Sequence, residues 1–179
     1  MTDAAVNYAQ ALYDLAVQEG QDAVILQELE VLQQAFSQEP VFLRLLASAN
    51  LSKDERVRIV DDSFRGKVHI YVLNFLKILS EKGRIGCFAD CCKAYREQYN
   101  ADHGIVSVLA MTAVALNPDQ ADKLRCKLEQ VTGKKVQLQN KVDPACMGGV
   151  RLDYDGKRVD GTVKNRLESV GEILKNTVL

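Results

Sequence analysis

Apolar residues recur every three or four positions through the first two-thirds of the chain, which is the spacing of one face of a helix. Short polar links separate six such segments. One of them begins with Ser52 and has Glu55 three residues later, which is the capping box that starts a helix. Because the links are short and no fixed repeat length is present, the six helices predict a bundle rather than a repeat array. The predicted helices cover residues 4–18, 23–36, 40–47, 52–64, 70–79 and 87–101.

The pattern changes after residue 104 to short β-branched and alternating runs, which are typical of strands. Asn117 followed by Pro118 is a helix N-cap with proline at the first helical position, and Gly133 stands where such a helix ends. An Asp155-Gly156 pair between two short strands predicts a hairpin. The predicted order is a strand, a helix, a strand, a hairpin and a final helix, at residues 105–112, 117–132, 135–138, 150–160 and from 162 onward.

The predicted fold class is therefore mainly α, with an N-terminal six-helix bundle over residues 1–104 and a small C-terminal α/β domain over residues 105–179. The first part has 11 basic and 15 acidic residues, and the second has 12 and 9. Both imbalances are modest, and the whole chain of 179 residues has a formal charge of −1. Net charge therefore gives no general attraction to nucleic acid or anionic lipid. With 47% hydrophobic and 26% charged residues, the composition excludes a disordered chain.

Two of the predicted helices have unusually broad apolar faces. A surface helix normally has one apolar stripe, so a broader face is either buried on several sides or contacts a partner. The helix over residues 70–79 is apolar almost all round. Two interpretations of these faces are open: they are buried inside the bundle, or they form a groove that receives an amphipathic helix of another protein. The helix over residues 4–18 has one face formed by Tyr8, Leu12 and Leu15 and another formed by Ala5, Ala9, Tyr13 and Ala16.

The final predicted helix has a narrow apolar stripe, as helices that pair with one another do. Two interpretations are open: the stripe packs on the chain's own sheet, or it pairs with a helix of a partner. The stripe consists of Val163, Leu167, Val170, Leu174 and Val178.

The cysteines and the N-terminus indicate a reducing compartment. The start of the chain lacks the basic and apolar regions of a signal peptide, and five cysteines are an odd number for a disulfide framework. We expect free thiols. Metal binding is the alternative, because Cys87 and Cys91 share a helix face, but the Cys-x-x-Cys spacing of zinc sites is missing. The other cysteines are Cys92, Cys126 and Cys146.

Sequence motifs of catalysis and cofactor binding are missing. The pair Gly148-Gly149 lacks the surrounding glycines of a dinucleotide site. The Gly133-Lys134 pair ends a helix, whereas a phosphate loop begins one. The chain has two histidines and no nucleophile-elbow sequence. No apolar run approaches the roughly 18–20 residues of a membrane-spanning helix. We therefore expect a non-enzymatic protein without catalytic residues, a metal or a cofactor.

Three groups of motifs follow one another along the chain. The first is 8–16 (YAQALYDLA), the second is 74–77 (NFLK) with 81–85 (EKGRI), and the third is a composite of 132–136 (TGKKV), 142–144 (VDP), 148–150 (GGV), 160–163 (DGTV) and 166–167 (RL). In these motifs, in their order and in their separations, the sequence resembles the delta subunit of bacterial F-type ATP synthase, which is related to the mitochondrial oligomycin-sensitivity-conferring protein. One departure is Cys146-Met147, where the family usually has Leu-Ile; both pairs are apolar.

The resemblance implies a non-catalytic stator subunit in the peripheral stalk. Residues 1–104 would bind the catalytic head by receiving the N-terminal helix of an alpha subunit between the first and fifth helices. Residues 105–179 would contact the b subunits. The complex alone would hold the chain at the cytoplasmic face of the bacterial inner membrane. A free-standing two-domain adaptor or scaffold is the alternative.

The resemblance and the apolar patterns together give two sets of candidate site residues. The set predicted to contact the alpha helix is Tyr8, Leu12, Leu15, Tyr71, Asn74, Phe75 and Ile78. The set predicted to shape the C-terminal domain or face the b subunits is Gly148, Gly149, Asp160, Gly161, Leu167, Val170 and Leu174. Within the second set, we expect the glycines and Asp160 to fix turns rather than to touch a ligand.

Overall fold

A computed structural model describes residues 3–48, 51–154, 156–163 and 165. The chain divides into two compact units, residues 1–99 and residues 100–179. It is mainly helical and contains a small four-stranded sheet. No helix in the described part of the chain is long and apolar enough to cross a bilayer.

The described residues up to 102 form six α-helices, and each end lies within two residues of the predicted position. The capping box that starts α4 is present: the Ser52 hydroxyl accepts from the amide of Glu55, and the Glu55 carboxylate accepts from the amide of Ser52. A 3-10 turn at Ile85–Cys87 precedes the last helix. The helices are α1 (Asp3–Gln18), α2 (Asp22–Gln38), α3 (Pro40–Ala47), α4 (Lys53–Phe64), α5 (Ile70–Glu81) and α6 (Phe88–Asp102).

The core of this first unit joins residues from all six helices. Phe36 lies among three other aromatic rings, with centroids 5.8 Å from Phe42, 6.0 Å from Phe64 and 5.0 Å from Phe88. Tyr95 is fully buried, and its hydroxyl donates to the carbonyl of Asp22 at 3.0 Å. Removing this apolar surface from water is the main term that stabilises the unit, at about 25 cal/mol per Å2.

The second unit is built on a sheet with the order β2-β1-β3-β4. Strands β1 and β2 are parallel, so α7 connects them as a crossover, while β3 pairs antiparallel with both β1 and β4. Val108 and Ala110 of β1 are buried. The elements are β1 (Ile105–Thr112), α7 (Pro118–Thr132), β2 (Lys135–Val142), β3 (Val150–Tyr154) and β4 (Lys157–Asp160), with a 3-10 turn at Pro144–Cys146.

Strand β2 is longer than predicted and continues past Leu138 to Val142. Residues 139–141 are polar, so the apolar alternation stops before the strand does. The Asn140 side chain adds to the main-chain pairing of this polar stretch with β1: its amide nitrogen donates to the Ala110 carbonyl at 3.0 Å and to the Thr112 hydroxyl at 2.9 Å. The predicted final helix lies mostly outside the described residues; Val163 and Asn165 have helical backbone.

Candidate functional site

Helix α1 buries one side and leaves an apolar edge accessible. Small side chains let it pack closely, and Ala5, Ala9 and Ala16 are among its buried residues. Tyr8 lies at the margin of the core and is half-buried. Leu15 is 47% exposed. Because Tyr8 and Leu15 are seven positions apart, they lie on the same helix face, two turns from each other.

Helix α5 packs against α1 and has a similar arrangement. Phe75 is in the core, Tyr71 is half-buried, and Ile78 is 44% exposed. Asn74 is an exposed polar residue beside them. The three- and four-residue spacings bring Tyr71, Phe75 and Ile78 to one flank of the helix.

We call the seven predicted residues on these two helices the α1–α5 surface. These residues differ in how far their side chains are buried. Leu12 and Phe75 are only 5% and 6% exposed, so both belong to the buried core. Tyr8 and Tyr71 pack on the core with part of each ring accessible, and the remaining three are exposed. The structure thus leaves two apolar side chains, Leu15 and Ile78, exposed on two helices that contact each other.

The start of α5 is positioned by a residue of α2. The amide of His69 donates to the Glu28 carboxylate at 2.7 Å, and the amide of Tyr71 donates to His69 Nδ1 at 3.4 Å. The rings of His69 and Tyr71 lie 5.0 Å apart. These contacts satisfy amides that a helix N-terminus leaves without intrahelical partners, and they hold Tyr71 in place. The role of Glu28 could not be predicted from the sequence pattern, because Glu28 lies 41 residues away from His69.

Helix α5 is also tied to α4 by charge. Asp61 of α4 forms ion pairs with Lys77 of α5 and with Arg65. The hydrogen bond from Lys77, followed by the one from Arg65, holds the pKa of the Asp61 carboxyl below its usual value. The pairing adds an electrostatic link to the apolar contacts between α4 and α5.

One cation lies next to the α1–α5 surface. The guanidinium carbon of Arg84 lies 6.0 Å from the centroid of the Tyr8 ring, within the range of a cation–π contact. Arg84 lies three residues after the end of α5, and its side chain contacts Tyr8 of α1.

The paired glycines of the second unit make a close contact with the segment after β4. Gly149 has a φ of +79°, and a Cβ there would lie 2.5 Å from the carbonyl oxygen of Gly161. The amide of Gly161 donates to Val150 at 3.0 Å, and the amide of Val163 donates to Gly148 at 3.0 Å. The two segments thus lie side by side with no room for a side chain at Gly149.

Asp160 shapes the turn that follows β4. Its carboxylate accepts from the hydroxyl of Thr162 at 2.7 Å and from the amide of Thr162 at 2.9 Å. These two bonds hold the pKa of Asp160 below its usual value. Three other predicted residues, Leu167, Val170 and Leu174, lie outside the described residues.

The cysteine side chains have different degrees of burial. Cys91, Cys92 and Cys146 are buried, Cys87 is half-buried, and Cys126 is exposed. None of these five described cysteines forms a disulfide. Burial raises the pKa of Cys91 to about 11 and that of Cys92 to about 12, so both are protonated at neutral pH. Within the described ranges, no group of three or more His, Cys, Asp or Glu side chains is placed to hold a metal ion.

Comparison with known proteins identifies the family. The family described as ATP synthase delta (OSCP) subunit matches residues 4–174. ATP synthase subunit delta of Alkaliphilus oremlandii is 36% identical over 172 residues, which is 96% of each chain. The Clostridioides difficile protein of the same name is 32% identical and covers 96% of this chain and 95% of its own.

A solved structure supports the fold. A chain in the cryo-EM structure of the Toxoplasma gondii mitochondrial ATP synthase hexamer superposes with a TM-score of 0.74. It is 18% identical, and the match covers 97% of this chain and 98% of that one. The family match over residues 4–174 and the relative that is 36% identical over 96% of this chain show that the chain belongs to the ATP synthase delta (OSCP) subunit family.

Proposed function

We propose that this chain is the stator link of an F-type ATP synthase, which joins the catalytic head to the membrane-anchored b subunits. Membership of the ATP synthase delta (OSCP) subunit family supports this role, which is non-catalytic. Proton-driven rotation of the central shaft exerts torque on the head, which must be held still relative to the membrane part. An adaptor with two binding ends does this without catalytic residues. The adaptor would lie at the cytoplasmic face of the plasma membrane, held there through the complex.

The observation that carries the proposal is the α1–α5 surface. Its proposed occupant is the N-terminal helix of an alpha subunit. The exposed side chains of Leu15 and Ile78 would pack against the apolar face of that helix. Tyr8 and Tyr71 would contact the two sides of the same helix. Burying this apolar surface supplies affinity, less the entropy lost on association.

The two ends of the link are assigned to the two parts of the chain. Residues 1–104 would form a six-helix bundle that holds the head; the core shared by α1 to α6 favours this. Residues 105–179 would meet the b subunits. In that part, the contact of Gly149 with Gly161 favours a shaping role for the glycines, and the stripe of Leu167, Val170 and Leu174 is the proposed b-facing side.

Calorimetry tests the head-binding end. A synthetic peptide of the N-terminal helix of the alpha subunit from the same organism is titrated into the full chain, and then into residues 1–104. We expect binding to both. Leu15→Glu and Ile78→Glu should each weaken binding by on the order of tenfold or more, because a charge would be buried against the apolar face of the helix.

The choice of variants follows from burial. Leu12 and Phe75 are core residues, so a glutamate there would unfold the unit rather than report on binding. Val31 of α2 is 65% exposed, so Val31→Glu is the matched control and should bind like the unsubstituted chain. No binding to the full chain, or an equal loss in Val31→Glu, would reject the α1–α5 surface as the docking site.

A further inference from the structure

We propose that the α1–α5 surface selects the direction of the docked helix by charge, with Arg84 as the positive pole and Glu19 as the negative pole. The inference rests on the proposed function. It adds that the bound helix carries a carboxylate facing Arg84 and a basic side chain facing Glu19.

The position of Arg84 is fixed by its main chain and by Tyr8. Its amide donates to the Leu79 carbonyl at 2.7 Å, and its carbonyl accepts from the amide of Cys87 at 2.9 Å. The guanidinium lies over the Tyr8 ring, so a cation stands beside the apolar contact area. Among the described residues Arg84 forms no ion pair, whereas its neighbour Lys82 pairs with Glu81 at 3.7 Å.

Glu19 lies at the other end of the exposed α1 edge. It follows Leu15 by four residues, and its amide donates to the Leu15 carbonyl at 3.2 Å, which continues the helical turn. Glu19 therefore lies on the Leu15 face one turn further on. Within the described ranges it forms no ion pair. Tyr8 and Leu15 are separated by about 10 Å along the helix axis, so the two charges mark different ends of the surface.

Charge of this kind affects orientation more than affinity. Apolar contacts alone would accept an amphipathic helix in either direction when its stripe is nearly symmetrical. Exposed ion pairs contribute little to affinity, but like charges placed together disfavour the wrong arrangement. A helix with its acidic end towards Arg84 and its basic end towards Glu19 satisfies both poles, and the reversed helix faces like charges at both.

The test is a set of charge-removal variants measured with the full chain and the same alpha-subunit peptide at low salt. Arg84→Gln and Glu19→Gln should each weaken binding by about two- to fivefold, and the loss should disappear in about 1 M salt. A glutamine scan of the peptide should then find one carboxylate coupled to Arg84 and one basic residue, towards the opposite peptide end, coupled to Glu19. Lys93 of α6 is an exposed lysine on neither α1 nor α5, and it pairs with Glu97 at 3.9 Å. Lys93→Gln is therefore the matched control and should leave binding unchanged.

The outcomes separate this inference from the proposed function. Binding that is unaffected by Arg84→Gln and Glu19→Gln overturns the charge selection while leaving the docking site in place. An equal effect of Lys93→Gln, or couplings at the same peptide end, also overturns it. A wild-type chain that binds no peptide rejects the proposed function itself. Circular dichroism of each variant verifies that the helices are retained.

Discussion

At the scale of single residues, Gly149 has the least room for a side chain among the described glycines. We expect Gly149→Ala to destabilise the second unit by about 2–4 kcal/mol, because a left-handed φ costs a side chain about 1–2 kcal/mol and the new Cβ overlaps the Gly161 carbonyl. Gly133 also has a positive φ but has open space around it, so Gly133→Ala should cost only the conformational part. Hydrogen exchange of the β1 and β3 amides measures both. Equal losses in the two variants would contradict the close contact.

Asp160 makes the turn after β4 sensitive to acid. Its pKa is lowered in the folded chain by Thr162, so the charged carboxylate stabilises the fold. That contribution is complete above the unfolded carboxyl pKa of about 4 and is lost as the pH falls through the folded value. The Thr162 amide resonance should therefore titrate with a midpoint below about 3.9. In Asp160→Asn this titration should disappear. A midpoint at or above the ordinary carboxyl value would contradict the two hydrogen bonds.

At the scale of elements, the first turn of α5 depends on α2. We expect Glu28→Ala to loosen this turn, because the amide of His69 loses its acceptor, and to weaken peptide binding through Tyr71 by up to about fivefold. Glu28→Gln retains an acceptor oxygen and should lose less. Calorimetry with the alpha-subunit peptide measures both variants. Unchanged binding in Glu28→Ala would show that the cap does not support the surface.

Elements with local signals could be predicted from the sequence. The capping boxes of Ser52 with Glu55 and of Asn117 with Gln120 both form, because each uses residues three positions apart. The β3–β4 pairing also follows from a short turn. The β1–β2 pairing and the end of β2 could not be read in the same way, since Asn140 bonds to a strand that precedes it by about 30 residues.

The candidate site also depends on contacts between residues that are far apart in the sequence. Helical spacing places Leu12 and Leu15 on one side of α1, but it cannot tell which of them the rest of the fold covers. In the structure, Leu12 is buried in the core, whereas Leu15 is 47% exposed. The roles of Glu28 and Arg84 also depend on tertiary contacts, with α5 and with Tyr8 respectively. Amphipathic spacing therefore predicts which residues form the surface. How deeply each one is buried, and which charged side chains lie beside it, depends on tertiary contacts that only the structure gives.

At the scale of the whole molecule, membership of the ATP synthase delta (OSCP) subunit family gives the chain a non-catalytic, structural role. The first unit has exposed apolar residues, Leu15 and Ile78 among them, beside a core shared by six helices. The formal net charge of −1 keeps non-specific attraction small. Our proposal therefore assigns the specificity of binding to local features, the α1–α5 surface and its flanking charges.

The central claim, a link with two separate ends, is tested most directly by what co-purifies with the tagged full chain from solubilised membranes. Quantitative mass spectrometry should recover the alpha, beta and b subunits with the unsubstituted chain. A chain carrying both Leu15→Glu and Ile78→Glu should retain the b subunits and lose alpha and beta, because only the head-binding end is changed. Recovery of alpha and beta at wild-type levels with the double variant, or of none of these subunits with the unsubstituted chain, would contradict the account.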